Sequence, residues 1–202
     1  MGLYIALEGG EGSGKSSQSK ALARRLDAVL TREPGGTSLG AQLRNLLLSP
    51  DLPEVSARAE ALMMAADRAE HVALVVQPAL AAGRHVVSDR SVYSSLAYQG
   101  GARGLGIDAV RRVNEFALDG RLPDLVLLLI ASPEVAQSRM KSLPDRLEAA
   151  GQRFHDVVAR TYADLAESEP DRFVVVSADD SFKEVQSAIW AVVEPRILAN
   201  ST

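Results

Sequence analysis

The residues that most clearly imply chemistry lie near the start of the chain. Residues 9–16 have the spacing Gly-x-x-x-x-Gly-Lys-Ser, without a gap or a substitution. In such a loop the small residues let backbone N–H groups turn toward an anion, the lysine adds a positive charge, and the serine hydroxyl can hold Mg²⁺. We therefore predict a phosphate-binding loop for a nucleoside triphosphate, made by Gly9, Gly10, Glu11, Gly12, Ser13, Gly14, Lys15 and Ser16.

The segments on either side of this loop favour that interpretation over a chance glycine-rich turn. Residues 3–8 form an apolar run typical of a buried strand. After the loop, Leu22, Leu26 and Val29 recur at helical spacing. A phosphate loop joins a strand to a helix whose N-terminus faces the ligand, so this context supports ATP binding.

Apolar runs alternate with helical patterns along the chain. The runs are residues 3–8, His85–Ser88, Leu125–Ile130 and Phe173–Val176, with Val29–Thr31 as a weaker fifth. Their nearly continuous apolar character indicates strands that are covered on both faces, and the β-α alternation predicts an α/β fold with a parallel sheet. A long helix is predicted between residues 55 and 82, and its expected core face consists of Leu62, Ala66, Ala69, Ala73, Val76 and Leu80.

Composition limits the class of protein. The chain has 202 residues and a formal net charge of −4, so we expect one domain over residues 1–202 and no general affinity for nucleic acid, which favours a basic surface. The sequence contains no cysteine, which excludes disulfides and thiolate chemistry. It shows no signal-peptide pattern and no apolar run of membrane-spanning length, and we therefore predict a cytoplasmic protein without membrane contact.

Charged residues outside the loop suggest a second anion site. Asp89 and Arg90 follow a predicted strand, and the carboxyl ends of parallel strands face the ligand crevice. There Asp89 could reach Mg²⁺, and the planar guanidinium of Arg90 suits a phosphate. Arg68 could assist, although its helical stripe also fits a solvated face. The stretch 139–148, which is basic and interrupted by proline, fits either a flap that carries arginines or an exposed loop.

A phosphate loop with a second anion site favours a small kinase, because phosphoryl transfer depends on positioning and on charge stabilisation. Two alternatives stay open at this point. One is a kinase of the same fold that acts on another nucleoside monophosphate or on a nucleoside. The other is a regulatory protein that binds ATP without transferring phosphate.

Five motifs resemble those of the thymidylate kinase family, in the same order and at similar spacing. They are Glu8-Gly9-x-Glu11-Gly12-x-Gly14-Lys15, Thr31-Arg32-Glu33-Pro34-Gly35-Gly36-Thr37, Ala65-Ala66-Asp67-Arg68, Asp89-Arg90-Ser91 and Ala97-Tyr98-Gln99-Gly100. The phosphate loop lacks arginine, and Asp145-Arg146-x-Glu148 is similar to the lid signature of the bacterial branch in which the lid supplies the catalytic arginine. The resemblance covers nearly the whole chain.

This resemblance implies a three-layer P-loop NTPase/kinase fold, with a five-stranded parallel sheet flanked by helices and a lid at about residues 139–150. It implies a homodimer that phosphorylates dTMP to dTDP with Mg·ATP, in dTTP biosynthesis. The implied catalytic residues are Lys15, Glu11, Arg139 and Arg146, and the expected Mg²⁺ ligands are Ser16 and Asp89. The implied dTMP-binding residues are Glu33, Met64, Arg68, Arg90, Ser95, Tyr98 and Gln99.

The resemblance also implies individual roles within the acceptor site. Arg68 would hydrogen-bond thymine, Arg90 would bind the acceptor phosphate, and Tyr98 would pack beside the deoxyribose. Glu11 would lie near the acceptor sugar and phosphate. Met64 departs from the family pattern, in which an aromatic residue at this position stacks on thymine. A thioether offers a comparable packing surface, so we expect weaker stacking without loss of function.

Overall fold

A five-stranded sheet forms the centre of the computed structural model, which describes residues 2–49, 55–140 and 146–200, without the side chain of Glu148. The strands are β1 (Tyr4–Glu8), β2 (Val29–Arg32), β3 (Val86–Asp89), β4 (Leu125–Ile130) and β5 (Phe173–Ser177). They lie in the order β2-β3-β1-β4-β5, and every neighbouring pair is parallel. The predicted α/β fold is confirmed, and the weaker strand candidate is the partly exposed edge strand β2.

Helices connect the strands, and local sequence signals mark where helices begin. At the start of the last helix, for example, the Ser181 N–H donates to Glu184 Oε2 (3.0 Å) in a capping box. The helices are α1 (Lys15–Leu26), α2 (Ser38–Leu48), α3 (Ala57–His71), α4 (Gln77–Ala81), α5 (Val92–Ser95), α6 (Ile107–Leu118), α7 (Pro133–Arg139), α8 (Gln152–Ser168) and α9 (Phe182–Asn200), with π-helical segments at Val72–Val76 and Leu96–Ala102 and a 3₁₀ turn at Glu148–Ala150.

Both faces of the sheet are buried, which explains the apolar runs. On β4, Val126 and Leu128 pack into a core shared with α6 and α8, whereas Leu127 and Leu129 pack into a second core shared with α1 and α9. A strand covered on both sides has no polar face, so it does not alternate. This arrangement places the carboxyl ends of β1 and β3 side by side, with Leu7 opposite Asp89.

The helical prediction for residues 55–82 is confirmed, but its predicted core face is wrong along α3. Leu62 is 58% exposed, whereas Arg68 and His71 on the other stripe are 2% and 0% exposed. Hydrophobic periodicity selects apolar residues, yet here polar side chains are buried because ion pairs offset their desolvation. As a result, α3 turns a charged stripe inward and an apolar stripe outward.

The predicted lid is described only at its two ends. α7 ends at Arg139, the chain is described again from Arg146, and residues 141–145 lie outside the described residues. The single-domain, lid and cytoplasmic predictions stay predictions. Among the described helices, none combines the length and hydropathy of a transmembrane span.

Candidate active site

The phosphate loop has a backbone that requires glycine. Gly9 and Gly12 have φ angles of 138° and 72°. A Cβ atom on Gly9 would lie 2.2 Å from the Leu129 carbonyl oxygen, and one on Gly12 would lie 2.4 Å from the Ala136 carbonyl oxygen. Glycine alone avoids both the strained φ and the clash. The loop is therefore held against β4 and α7, and α1 begins at its end with the positive pole of the helix directed toward the loop.

The Lys15 amine is buried and folded back onto the loop. Its Nζ donates to the Gly10 carbonyl oxygen (2.6 Å) and lies 3.3 Å from Ser13 Oγ. Burial, together with the nearby Arg90 guanidinium, lowers the pKa of this amine to about 8. The phosphates of a bound nucleotide would favour the charged form again.

We expect the affinity for Mg·ATP to fall as the pH rises above about 8, because the free protein then loses the Lys15 proton that the bound phosphates stabilise. The dissociation constant should increase by up to about tenfold per pH unit. Calorimetric titration from about pH 7.5 to about pH 9.5 measures both this affinity and the accompanying proton uptake. Lys15→Arg is the control, because its guanidinium stays charged, and a wild-type affinity that is as flat with pH as that of the variant would contradict the prediction.

Two oxygen groups meet where Mg²⁺ is predicted. Ser16 Oγ, in the first turn of α1, donates to Asp89 Oδ2 at the carboxyl end of β3 (2.5 Å). Mg²⁺ prefers hydroxyl and carboxylate oxygens, and it commonly takes only one or two protein carboxylates while phosphates and water complete its shell. The donor set therefore fits the predicted ion.

Arg90 lies between the phosphate loop and α5. Its Nη1 donates to the Gly9 carbonyl oxygen (3.3 Å) and to Ser94 Oγ (3.1 Å). Its Nη2 forms an ion pair with Glu11 and lies 3.4 Å from Tyr98 Oη. The backbone of Arg90 has a left-handed φ of 73°, which is uncommon for a residue with a side chain and is typical of functional sites. This geometry places a guanidinium beside the donor loop.

Glu8, at the end of β1, organises the same corner, although sequence reasoning assigned it no role. Its buried carboxylate accepts hydrogen bonds from Ser91 Oγ (2.7 Å), Ser94 Oγ (2.6 Å) and Tyr162 Oη (2.7 Å). Burial raises the pKa of Glu8, although Arg90 and these hydroxyls oppose the shift. Because Ser94 also contacts Arg90, Glu8 helps to hold the guanidinium in place. An acidic residue at the carboxyl end of a central strand was the available signal.

Arg68 is held by several buried partners. Its Nε donates to Glu33 Oε2 (2.8 Å), its Nη1 to Asn114 Oδ1, and its Nη2 to Ser95 Oγ (3.1 Å). Glu33 also contacts His71 Nδ1 (2.8 Å). Burial by itself would raise the pKa of Glu33, but Arg68 and His71 hold it below its ordinary value. Arg68 therefore reaches the cleft in a preset orientation.

One cleft brings the predicted donor and acceptor residues together. Those that line it are Glu11, Lys15, Ser16, Glu33, Met64, Arg68, Asp89, Arg90, Ser95, Tyr98 and Gln99. A smaller pocket, which shares Glu11 with this cleft, is lined by the loop residues Gly9, Gly10 and Ser13. The predicted residues that line the cleft therefore surround one space, although they come from five separate parts of the sequence.

Comparison with known proteins names the family. A family model described as thymidylate kinase matches residues 7–189, which include every residue of the cleft. The chain belongs to the thymidylate kinase family. It is 48% identical over 202 residues to the thymidylate kinase of Synechococcus sp. (strain JA-3-3Ab), covering 98% of both chains. It is 45% identical over 203 residues to that of Halothermothrix orenii, covering 96% of this chain and 97% of the relative.

Two arginines to which the thymidylate kinase resemblance assigns catalysis lie outside the lining of this cleft. Arg139 Nη1 donates to the Ala178 carbonyl oxygen (2.7 Å). Arg146 Nε donates to the Leu47 carbonyl oxygen (2.8 Å), and its Nη2 pairs with Glu60 Oε2 (2.6 Å). Each would have to leave these partners to reach a phosphate. Their catalytic role stays a prediction.

Arg44 and Asp67 also line the cleft but were not selected from the sequence. Arg44 Nη1 donates to the Pro34 carbonyl oxygen (3.1 Å), and Asp67 Oδ1 accepts the Gly35 N–H (2.9 Å). Burial raises the pKa of Asp67 to about 6. Asp67 belongs to the motif Ala65-Ala66-Asp67-Arg68, and this motif was a usable signal. Arg44 carried none, because its position on α2 does not reveal which way that helix faces.

Proposed function

We infer that the chain transfers the γ-phosphoryl group of ATP to dTMP and releases ADP and dTDP. The observation that carries this inference is the shared cleft, in which Lys15 and Ser16 of the phosphate loop face the same space as Arg90. Membership of the thymidylate kinase family names the acceptor. A regulatory protein that only binds ATP has no use for this second anion site, so that alternative is disfavoured.

The reaction needs positioning and charge more than covalent chemistry. An oxygen of the dTMP phosphate attacks the γ-phosphorus, and the bond from this phosphorus to the β,γ-bridging oxygen breaks, so that this oxygen leaves with ADP. Lys15 and the loop N–H groups offset charge on the donor phosphates. Arg90, held by Glu11, would place the acceptor phosphate in line. Charges that are already fixed in place lower the barrier because little rearrangement is needed during transfer.

Ser16 and Asp89 would hold the Mg²⁺ that accompanies ATP. When bound, this ion offsets negative charge on the donor phosphates. Both residues lie on rigid elements, since Asp89 ends β3 and Ser16 belongs to the first turn of α1. Their side-chain oxygens therefore need little reordering when the nucleotide binds.

The base and sugar of dTMP would lie farther along the cleft, beside α3 and the π-helical segment Leu96–Ala102. There Arg68 would donate to thymine, and the thioether of Met64 would pack on the base. The Tyr98 ring would pack beside the deoxyribose and disfavour a ribose 2′-hydroxyl. This ring is buried and makes an edge contact with Phe154, at a centroid distance of 5.9 Å. The cleft residues that we expect to contact the base and sugar are Met64, Arg68, Ser95, Tyr98 and Gln99.

Coupled ADP release with Mg·ATP tests the proposed function. The acceptors are dTMP, dUMP, UMP, AMP, thymidine and none. We expect dTMP to give the highest kcat/KM and thymidine to give little turnover. If thymidine is the preferred acceptor, the chain is instead a nucleoside kinase. ADP release that does not depend on an acceptor would leave the donor site correct and the acceptor site wrong.

We also propose that two copies of the chain associate through α2, α3 and α6. The support is an unusual set of exposed apolar side chains on these helices, and α3 packs against both α2 and α6. Scattered exposed apolar residues are ordinary, but several on adjacent helices favour a protein interface. They are Leu39, Leu46, Leu62, Val113 and Phe116, the last being 94% exposed.

Phe116→Asp should convert this dimer to a monomer, because it places a charge in the proposed apolar contact. Size-exclusion chromatography with light scattering gives the mass directly. The control is Leu198→Asp, since Leu198 is 65% exposed on α9, which packs mainly against α1 and β5. The interface is wrong if the Phe116 variant keeps the dimeric mass, or if the wild-type chain is itself monomeric.

A further inference from the structure

A buried carboxylate joins the acceptor side of the cleft to the chain that follows α7. Glu60, on α3, is 0% exposed. It accepts hydrogen bonds from Gln99 Nε2 (3.0 Å), from Arg103 Nε and Nη2 (3.1 Å each) and from Arg146 Nη2 (2.6 Å). Burial by itself would raise the pKa of Glu60, but these donors hold it below its ordinary value. The carboxylate on α3 is therefore a charged anchor for two other segments, one with Gln99 and Arg103 and one with Arg146.

Arg146 makes a second contact that fixes its direction. Its Nε donates to the Leu47 carbonyl oxygen near the end of α2 (2.8 Å), while Nη2 holds Glu60. The side chain is 15% exposed. Two contacts on two edges of a planar guanidinium determine its orientation. Arg146 is thus attached to α2 and α3 rather than directed at the phosphate loop.

The next residue, Leu147, enters the acceptor cleft. It is 8% exposed and packs in one apolar cluster with Leu47 and Met64. Leu147 and Met64 both line the cleft, together with Leu48. A methionine is flexible and fills space without defining it, so a neighbouring branched side chain gives this wall a definite shape.

We propose that Glu60 and Arg146 form a clamp that positions Leu147 as a wall of the base-binding part of the acceptor cleft. In this role both charged residues act through Leu147, and neither touches the transferring phosphoryl group. The proposal rests on the proposed function, because it concerns how dTMP is bound. It replaces the catalytic role that the resemblance implies for Arg146, and it leaves the predicted role of Arg139 unchanged.

The clamp role and the catalytic role of Arg146 predict different effects of a substitution at Glu60 on dTMP binding and on kcat. If Arg146 is part of a clamp, loss of either partner loosens the same wall and weakens dTMP binding. If Arg146 must leave Glu60 to reach the γ-phosphate, removing the Glu60 charge releases the arginine and leaves kcat unchanged or higher. In that case Arg146→Ala alone would lower kcat strongly, by about 10²-fold or more.

The test compares Glu60→Gln, Arg146→Ala, Leu147→Ala and the double variant of Glu60 and Arg146 in steady-state kinetics, with each substrate varied in turn. We expect each single variant to raise the KM for dTMP about tenfold, as for a lost contact in an apolar pocket. The kcat and the KM for ATP should change by less than about threefold. The double variant should resemble the single ones, because both changes release the same clamp.

Leu147→Ala keeps the proposal falsifiable if a variant at Glu60 does not fold, because it leaves both charged partners in place. Thermal unfolding of every variant shows which ones are folded, and Arg153→Ala, at an exposed position on α8, controls for loss of one positive charge. A fall in kcat with Arg146→Ala but not with Glu60→Gln overturns the clamp, as does an unchanged KM for dTMP in Leu147→Ala. If wild-type protein does not phosphorylate dTMP, the proposed function fails instead.

Discussion

Lys15→Ala should lower kcat for dTMP phosphorylation by at least about 10³-fold, because it removes a buried charge from the β- and γ-phosphates. Lys15 is the only lysine of the phosphate loop, and its Nζ is held 2.6 Å from the Gly10 carbonyl oxygen. Burial restricts the amine to this position, so solvent does not screen its effect on the phosphates. Coupled ADP release with saturating Mg·ATP and dTMP measures the loss.

The control for this variant is Lys20→Ala, because Lys20 lies on the same helix α1 but is exposed. We expect it to keep near-normal turnover. Far-ultraviolet circular dichroism and thermal unfolding check that the Lys15 variant is folded. A folded Lys15→Ala protein with near-normal kcat would contradict the donor-site assignment, because this assignment requires the positive charge that the variant lacks.

Arg90→Ala should lower kcat/KM for dTMP by about 10²- to 10³-fold, because it removes the cation that holds the acceptor phosphate and the ion pair that offsets the negative charge of Glu11 beside it. The KM for ATP should change much less, since the donor phosphates are held by Lys15 and the loop. Varying each substrate at saturating concentrations of the other separates the two effects. The strained backbone and four side-chain contacts of Arg90 indicate a residue held for recognition rather than for packing.

Two further variants define the result for Arg90. Arg90→Lys keeps a charge but loses the planar fork, and it should therefore fall between wild type and Arg90→Ala. Arg121→Ala, at an exposed position before β4, removes a positive charge elsewhere. If thymidine turnover were substantial and insensitive to Arg90→Ala, the acceptor would be a nucleoside and the phosphate-binding role of Arg90 would be wrong.

The fold and the donor site were predictable because their signals are local. The phosphate loop occupies eight consecutive residues, and its shape depends on glycine φ angles and on the helix that begins at Lys15. The strands were predictable because burial on both faces leaves a continuous apolar run, as in β4. Even the edge strand β2 was recognised. In each case the residues that carry the signal are consecutive in the sequence.

The orientation of α3 was not predictable for the opposite reason. Its inward stripe includes Glu60, Arg68 and His71, whose burial depends on partners elsewhere in the chain. Arg68, for example, is satisfied by Asn114, which is 46 residues away. A charged residue with an unknown partner looks solvated in a sequence, and an apolar residue such as Leu62 looks buried because periodicity alone does not show which face of the helix meets the core.

The sequence by itself determined the family, the α/β architecture, the phosphate loop and the identity of most residues around the cleft, because these follow from contiguous motifs and local backbone preferences. Only the tertiary structure decided which side chains hold the site together. It assigned Glu8 to Ser91, Ser94 and Tyr162, the last of these 154 residues away, and it placed Arg146 on Glu60 instead of at the phosphate loop. The physical reason is that a buried charge is stable only with partners supplied by other elements, and those partners are defined by folding.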